Sequence, residues 1–394
     1  AGGGHRPPDD AEKSEPGPPQ YRVEFLPGSN ELPPEPRHRL WPLFGAAAAC
    51  GVVLAGFAAV SLYADSPPAS IAVLPFENLS PDAQANEYLA SGLHDNILTH
   101  LAGVPGLKVI SRTSVMRYAG AAHDLREIGK TLGVAHVLEG SVQRVGGRML
   151  VNAQLIDAAT DQHLWAEAYD RPLDDVLGIQ SEIAERVAGS VGAQLTDAQT
   201  AAMRRRPTQS TEAYQTYLRA RDEERRDGAG QESLMRIQAL LERAVDEDQN
   251  FALAHAMLAR THILIYWFAY DSAPERRERA KQSLDRALAL QPDAAEVLFA
   301  QGLYRAAGFR DYIGAMDSYQ RALALQPSSA DILRYLASAY RRQAKWDDAL
   351  KTMQRAAELD PANPAILDDL ATLYRGLRRY AEAAPLYERV VTLT

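Results

Sequence analysis

The heptapeptide Arg286-Ala-Leu-Ala-Leu-Gln-Pro292 occurs again in this chain as Arg321-Ala-Leu-Ala-Leu-Gln-Pro327. A third, slightly altered copy is Arg355-Ala-Ala-Glu-Leu-Asp-Pro361, and the steps between the copies are 35 and 34 residues. Self-similarity at this period is typical of a solenoid of helix pairs, in which each unit buries its apolar face only against its neighbours. Such arrays present extended binding surfaces, so the repeat predicts a protein that binds a partner.

The spacing of large and small residues within each unit gives the register of its helices. A first helix carries apolar residues at i, i+3, i+4 and i+7 between Leu333 and Tyr340. Small alanines let the second helix approach closely, and a proline ends it because proline cannot continue a helix. The residues predicted to pack the units are Leu333, Leu336, Ala337, Tyr340, Trp346, Ala349, Ala356, Pro361, Leu370, Ala371 and Ala383.

These residues resemble the tetratricopeptide repeat. The resemblance implies an all-α solenoid over residues 208–394, with about five units, the last of them truncated, and an insertion near residues 267–277. It also implies a concave face that holds a protein or peptide partner. The aromatic residues near the insertion either fill the core or form a ligand-facing lip. The candidate partner-binding residues are Trp267, Tyr270, Tyr304, Arg334, Arg341 and Tyr374.

An apolar stretch at residues 40–64 contains no charged residue. About 20 apolar residues cross a bilayer core of ~30 Å, so the stretch predicts one transmembrane helix. Arg37 and Arg39 precede it and Asp65 follows it, which favours an N-terminal side in the cytoplasm. A cleaved signal peptide is disfavoured because about 40 mostly polar residues come first.

This orientation assigns a place to the rest of the chain. Residues 1–39, rich in proline, are expected to form a cytoplasmic linker. Residues 65–394 are expected in the periplasm, anchored to the inner membrane. Small residues within the apolar stretch leave a homodimer open as an alternative to a single copy.

Residues 70–195 predict a compact α/β domain between the span and the solenoid. Short apolar strands, two helices and a hairpin at Gly146-Gly147 follow one another, and a helix at Val176–Leu195 closes the domain. The domain resembles the TolB amino-terminal-like domain. The motifs that carry the resemblance include Ile71-Ala-Val-Leu-Pro-Phe-Glu-Asn-Leu-Ser80, Tyr88-Leu-Ala-Ser-Gly-Leu-His-Asp95 and Val137-Leu-Glu-Gly-Ser-Val142.

The resemblance also implies a layout for the whole protein. In proteins that look like this, a membrane helix precedes the domain and tetratricopeptide repeats follow it. The cytoplasmic output is a winged-helix DNA-binding domain of the CadC type, or less often a nucleotide cyclase or a kinase.

Composition and motifs argue against several functions for this chain. The net charge is −9 without a strongly basic stretch, which argues against a nucleic-acid surface, and a single cysteine allows no disulfide framework. We find no phosphate-binding glycine loop, zinc-protease motif or nucleophile elbow, so we predict no catalytic residue, no cofactor and no metal. We interpret His94 and Asp95 as a solvated helix face, and Glu139 as the partner of Arg112 or Arg144.

The leading hypothesis is a single-pass membrane regulator whose periplasmic domains bind a protein or peptide and bias a cytoplasmic output domain upstream of this chain. Winged-helix transcriptional regulation is the output we expect first. An assembly scaffold of the cell envelope is one alternative. The sensor part of an adenylate cyclase or kinase, with its catalytic domain upstream, is the other.

Overall fold

The computed structural model describes Gly2 and residues 69–120, 124–227 and 230–394. The predicted membrane span at 40–64 lies outside these residues, as does the predicted linker apart from Gly2. Within the described residues, no helix combines the length and apolar character needed to cross a bilayer. The described residues from 69 onward belong to one compact unit.

A mixed six-stranded sheet is the centre of the N-terminal part of the described chain. The strand order is β3-β1-β4-β5-β6, with β2 paired to β4. β1 runs parallel to β3 and β4, whereas β4, β5 and β6 form an antiparallel meander. The strands are β1 (Ser70–Val73), β2 (Glu77–Asn78), β3 (Lys108–Val109), β4 (His136–Val145), β5 (Arg148–Asp157) and β6 (Gln162–Pro172).

Helices cover both faces of β1, which explains why Ile71, Ala72 and Val73 are all apolar. Ile71 and Val73 share one core with the long helix α1, whereas Ala72 and Leu74 share another with the short helix α3. The helices of this part are α1 (Ala83–Ala102), α2 (Arg112–Val115), α3 (Leu125–Leu132), α4 (Val176–Ser190) and α5 (Asp197–Met203).

The C-terminal part is a solenoid of five antiparallel helix pairs within the described residues. The pairs are α6 (Thr211–Asp227) with α7 (Gln231–Glu247), α8 (Ala252–Trp267) with α9 (Pro274–Leu290), α10 (Ala295–Phe309) with α11 (Tyr312–Leu325), α12 (Ala330–Arg342) with α13 (Trp346–Leu359), and α14 (Pro364–Gly376) with α15 (Tyr380–Leu393). The connection between α8 and α9 runs from 268 to 273, whereas only residues 310–311 separate α10 from α11. The extra residues therefore lie in the region where the sequence predicts an insertion.

Most of the predicted packing residues are buried between these helices. Tyr340 and Pro361 are half-buried, and Trp346 is 40% exposed at the start of α13. The buried positions are Leu333, Leu336, Ala337, Ala349, Ala356, Leu370, Ala371 and Ala383. The helical solenoid after a small sheet domain is thus confirmed.

A continuous core joins the α/β domain to the solenoid. It extends from Ile71 in β1 to Ile265 in α8. At the junction, Gly92 in α1 faces Leu218 in α6 so closely that a Cβ atom on the glycine would lie 2.7 Å from a leucine methyl. The two parts therefore pack as one body.

Two helical glycines provide a matched test of repeat packing. A Cβ atom at Gly302 would lie 2.3 Å from Cε1 of the buried Tyr319 ring, whereas at Gly376 the nearest atom, on Trp346, is 3.9 Å away. We expect Gly302→Ala to destabilise the fold by about 1–3 kcal/mol, because the ring must move. Gly376→Ala should be neutral or stabilising by up to ~1 kcal/mol, because alanine favours a helix. Urea denaturation measures both, and equal effects would contradict this packing.

Candidate partner-binding cleft

The α/β domain is fastened to the loops that join successive helix pairs. Between α11 and α12, the Ser328 hydroxyl donates a hydrogen bond to the Leu107 carbonyl at 2.7 Å. Between α13 and α14, Asp360 accepts a hydrogen bond from the Ser114 hydroxyl at 2.6 Å, and the Ala362 amide donates to that hydroxyl at 2.8 Å. The segments on both sides of β3 are therefore held against the solenoid.

A second attachment is a buried network around Asp95 on α1. Its carboxylate lies 2.8 Å from the Arg112 guanidinium and 3.2 Å from that of Arg221, and Arg225 is a third partner. Arg112 belongs to the α/β domain, whereas Arg221 and Arg225 belong to α6. One carboxylate thus connects the two parts of the molecule.

The same network fixes the protonation of His94. Its Nε2 lies 2.8 Å from the Val73 carbonyl, and its Nδ1 lies 2.6 Å from Arg112. Nε2 therefore donates the proton and Nδ1 accepts from the guanidinium. Burial, with the charge of Arg112, lowers the pKa of His94 to about 4. Burial alone would raise the pKa of Asp95, but the arginines, Arg221 first, hold it below its usual value.

The interpretation of His94 and Asp95 as a solvated face is wrong. His94 is fully buried and Asp95 is 5% exposed. The reason is that α1 packs against the sheet on one side and against α6 on the other. Glu139 also differs from its prediction, because it accepts a hydrogen bond from the Gln154 side chain on the neighbouring strand.

Between the attachments lies a cavity of about 1200 Å³. One wall of the cavity is formed by α1, α4, α5 and the segment that includes Arg205. The other, the solenoid wall, is formed by the first helices of four pairs, which are α6, α8, α10 and α12. Phe299 and Tyr335 meet edge to face in this wall, with centroids 5.3 Å apart. The cavity is the candidate functional site.

The solenoid wall carries charges of both signs. Arg260 lies 2.6 Å from Glu224, and Arg334 lies 2.6 Å from Asp369. Asp331 lines the cleft as well. The reduced access of solvent inside the cleft raises its pKa, and Arg260 and Arg334 offset part of that rise. Such a wall can pair with both cationic and anionic groups of a ligand.

Two hydrogen-bond donors on the other wall have free capacity. Gln180 is 1% exposed, and its Nε2 has no hydrogen-bond partner in the described part of the chain. Its Oε1 accepts hydrogen bonds from the Asn96 amide at 3.1 Å and the Tyr214 hydroxyl at 3.2 Å. Arg205 is exposed and makes no ion pair with the described carboxylates. Because the Nε2 atom of Gln180 is buried, the exposed guanidinium of Arg205 is the one of these two donors that a ligand in the cleft can reach.

The predicted partner-binding residues separate into one that lines the cleft and five that lie elsewhere among the described residues. Arg334 lines the cleft. Trp267 is 46% exposed at the end of α8, and Arg341 is half-buried near the end of α12. The Tyr270 ring contacts the Phe268 ring, and the Tyr304 ring contacts the Phe309 ring. Tyr374 is buried, and its hydroxyl accepts a hydrogen bond from the Gln354 side chain.

Sequence reasoning found Arg334 but missed Arg221, Arg225 and Arg260, which lie on other first helices of the cleft wall. Arg221 follows Tyr214 by seven residues and Tyr217 by four, so these side chains share one helix face. A cation on an otherwise aromatic face was a usable signal of a buried polar contact.

Comparison with protein families agrees with this division of the chain. Residues 67–186 match a family model described as the second domain of HilA/YgeH-like transcriptional regulators. Tetratricopeptide repeat models match residues 305–373 and 366–394, which confirms the predicted repeat. The resemblance to TolB amino-terminal-like domains stays a prediction.

A curated relative is named "Putative adenylate cyclase 3", from Rhizobium meliloti (strain 1021). It is 40% identical over 190 residues, which are 48% of this chain and 32% of the relative. The chain therefore spans about a third of that relative's length.

Solved structures with similarity to this chain include MamA from Desulfovibrio magneticus RS-1 and PilW, a type IV pilus biogenesis factor. MamA is 18% identical with a TM-score of 0.33, covering 47% of this chain and 97% of its own. PilW is 17% identical with a TM-score of 0.37, and the match covers 46% of this chain and 77% of the PilW chain.

The Asp95 network predicts a large effect from a small change. Asp95→Asn removes the charge that three arginines share, and we expect it to lower the free energy of unfolding by about 3–5 kcal/mol. The matched control is Asp170→Asn, because Asp170 pairs with Arg148 at the surface, where both side chains are more than half exposed. The control should cost less than about 1 kcal/mol. Urea denaturation of the full chain measures both, and similar small losses would show that the network does not stabilise the fold.

Proposed function

We propose that this chain is the partner-binding, regulatory part of a signalling protein, and that a protein segment occupies the cleft between the α/β domain and the solenoid. The observation that carries the proposal is the cavity of about 1200 Å³ with walls from both parts. Tetratricopeptide repeats mediate protein–protein contacts, and the match of residues 67–186 to a domain of transcriptional regulators supports a regulatory role.

The size and chemistry of the cleft favour an extended peptide over a small molecule. Small-molecule sites measure roughly 300–1,000 Å³, below the volume found here. The wall offers aromatic surface at Phe299 and Tyr335 and paired charges at Arg260 and Arg334. A peptide combines apolar side chains, charges of both signs and backbone acceptors, and the exposed guanidinium of Arg205 suits such an acceptor.

Binding in this position provides a route for a signal. A ligand that touches both walls changes the free-energy difference between closer and more open arrangements of the two parts. The Ser328 and Asp360 contacts are the attachments that such a change would strain. The α/β domain would pass the change toward its N-terminal neighbour.

For the output, we propose the layout expected from the sequence. The apolar stretch at 40–64 spans the inner membrane, residues 65–394 lie in the periplasm, and a winged-helix domain acts in the cytoplasm. This chain itself is then not catalytic. An adenylate cyclase output is the second candidate, supported by the 40% identical relative. A purely structural role in the envelope is the third.

The cleft can be tested with a photo-crosslinking residue. We expect benzoylphenylalanine at Tyr335, in the cleft wall, to capture a partner in the host cell, and the same residue at Val391, which is 75% exposed on α15, to capture none. Arg334→Met should reduce the adduct about tenfold, whereas Arg321→Met on α11 should not change it. Equal adducts at both positions, or none at Tyr335, would contradict the proposed site.

The membrane topology has a separate test. We expect alkaline phosphatase fused after Thr394 to be active, because that enzyme requires an oxidising compartment, and β-galactosidase at the same position to be inactive. The opposite pattern would place residues 65–394 in the cytoplasm and remove the periplasmic sensor.

A further inference from the structure

The exposed aromatic side chains of the described surface are concentrated at one kind of position. All five lie at turns that join the two helices of a pair, and an isoleucine that is 68% exposed lies there too. We call these turns the turn edge, defined by residues 267–273, 309–313, 342–346 and 375–380. The exposed apolar side chains are Trp267, Phe268, Phe309, Ile313, Trp346 and Tyr380. This concentration distinguishes the edge from the rest of the surface, where single exposed apolar residues need no explanation.

A repeated backbone geometry places these side chains in a row. Arg310, Ala344 and Arg378 all have left-handed backbones, with φ of 56°, 55° and 59°, and they follow one another in steps of 34 residues. Two residues after each comes an aromatic residue at the start of the second helix, the last two being Trp346 and Tyr380. Because the turns share one conformation, the solenoid repeats the aromatic position along its edge.

The same turns carry a surplus of positive charge. Six cations lie on the last three turns, and four carboxylates lie on them or in the first helical turn that follows. Among the described residues, only one of the six cations forms an ion pair, between Arg379 and Glu382 at 2.7 Å. Asp311 is occupied as a helix cap, because it accepts a hydrogen bond from the Gly314 amide. The cations are Arg310, Arg342, Lys345, Arg375, Arg378 and Arg379, and the carboxylates are Asp311, Asp347, Asp348 and Glu382. The edge is thus opposite in sign to the chain, whose net charge is −9.

The turn edge lies apart from the cleft. The α/β domain is attached near the N-terminal ends of the first helices, through Ser328 and Asp360. The turn edge is at the C-terminal ends of those helices, and α12, with 13 residues, separates the two ends by about 20 Å. The residues that line the cleft do not include any of the exposed aromatic residues of the turn edge. A second ligand can therefore bind there without entering the cleft.

We propose that the turn edge binds an acidic protein segment that carries apolar side chains. Carboxylates of the segment pair with the cations, and its apolar side chains pack on Trp346, Tyr380 and Ile313. Three adjacent turns on packed helices span roughly 20–30 Å, which an extended segment of about 6–10 residues covers. Asp347 and Asp348 interrupt the cations, which favours a segment of mixed composition over a uniformly charged membrane or nucleic acid.

Three fluorescent probes test the proposal on the full chain in a non-ionic detergent. The first is a peptide of about twelve residues in which glutamate alternates with leucine and phenylalanine; the others are an oligouridine of the same length and glycerophosphoserine, the water-soluble headgroup of phosphatidylserine. We expect the peptide to bind, with an affinity that falls as salt rises. Trp346→Ala with Tyr380→Ala should weaken binding about tenfold or more, and Arg342→Glu with Arg378→Glu should weaken it to a similar extent.

Matched controls separate the edge from general charge and apolar effects. Lys281→Glu with Arg321→Glu reverses two exposed cations on second helices, and Val391→Ala truncates an apolar side chain that is 75% exposed outside the turn edge. Neither should change peptide binding, and circular dichroism should show every variant folded. The proposal is overturned if the controls weaken binding as much as the edge variants, if no peptide binds, or if oligouridine or glycerophosphoserine binds in place of the peptide. The Tyr335 crosslink reports the cleft separately, so the two sites can fail independently.

Discussion

The position of the α/β domain on the solenoid depends on one shared charge. Asp95 is the buried carboxylate that Arg112, from the same domain, shares with Arg221 and Arg225 from the first solenoid helix. Removing one partner from such a cluster leaves charges that the interior cannot solvate, so the arrangement resists separation. The Asp95 network attaches the α/β domain to the solenoid at one place, and the Ser328 and Asp360 hydrogen bonds attach it at another. The cleft is the space left between the two parts where they are not in contact.

The sequence predicted the solenoid well because its signal is local and repeated. Leu333, Ala337 and Ala349 fall at spacings that only a helix pair explains, and they are buried as expected. Asp95 shows why other parts could not be predicted. The apolar residues of α1 mark the side that faces the sheet, whereas its polar side is buried by a helix that begins more than 100 residues later in the chain.

The candidate site shows the same division between local and distant information. Arg334 and Arg341 are seven residues apart, so helical periodicity places them on one face. The α/β domain approaches only the N-terminal end of α12, and for this reason Arg334 lines the cleft whereas Arg341 lies near the opposite end of the helix. Periodicity predicts which face of the helix a residue lies on. It does not predict which end of that face lies in the cleft, because this depends on where the α/β domain packs against the solenoid.

The hydrogen bonds that fasten the sheet edge also constrain how the chain is made. Leu107 and Ser328 are 221 residues apart, and Ser114 and Asp360 are 246 apart. A repeat array ordinarily folds by adding neighbours, but contacts of such long range slow folding. The N-terminal domain is synthesised first, yet these contacts need the loops that follow the third and fourth helix pairs. The α/β domain therefore reaches its final position only after most of the solenoid has been made.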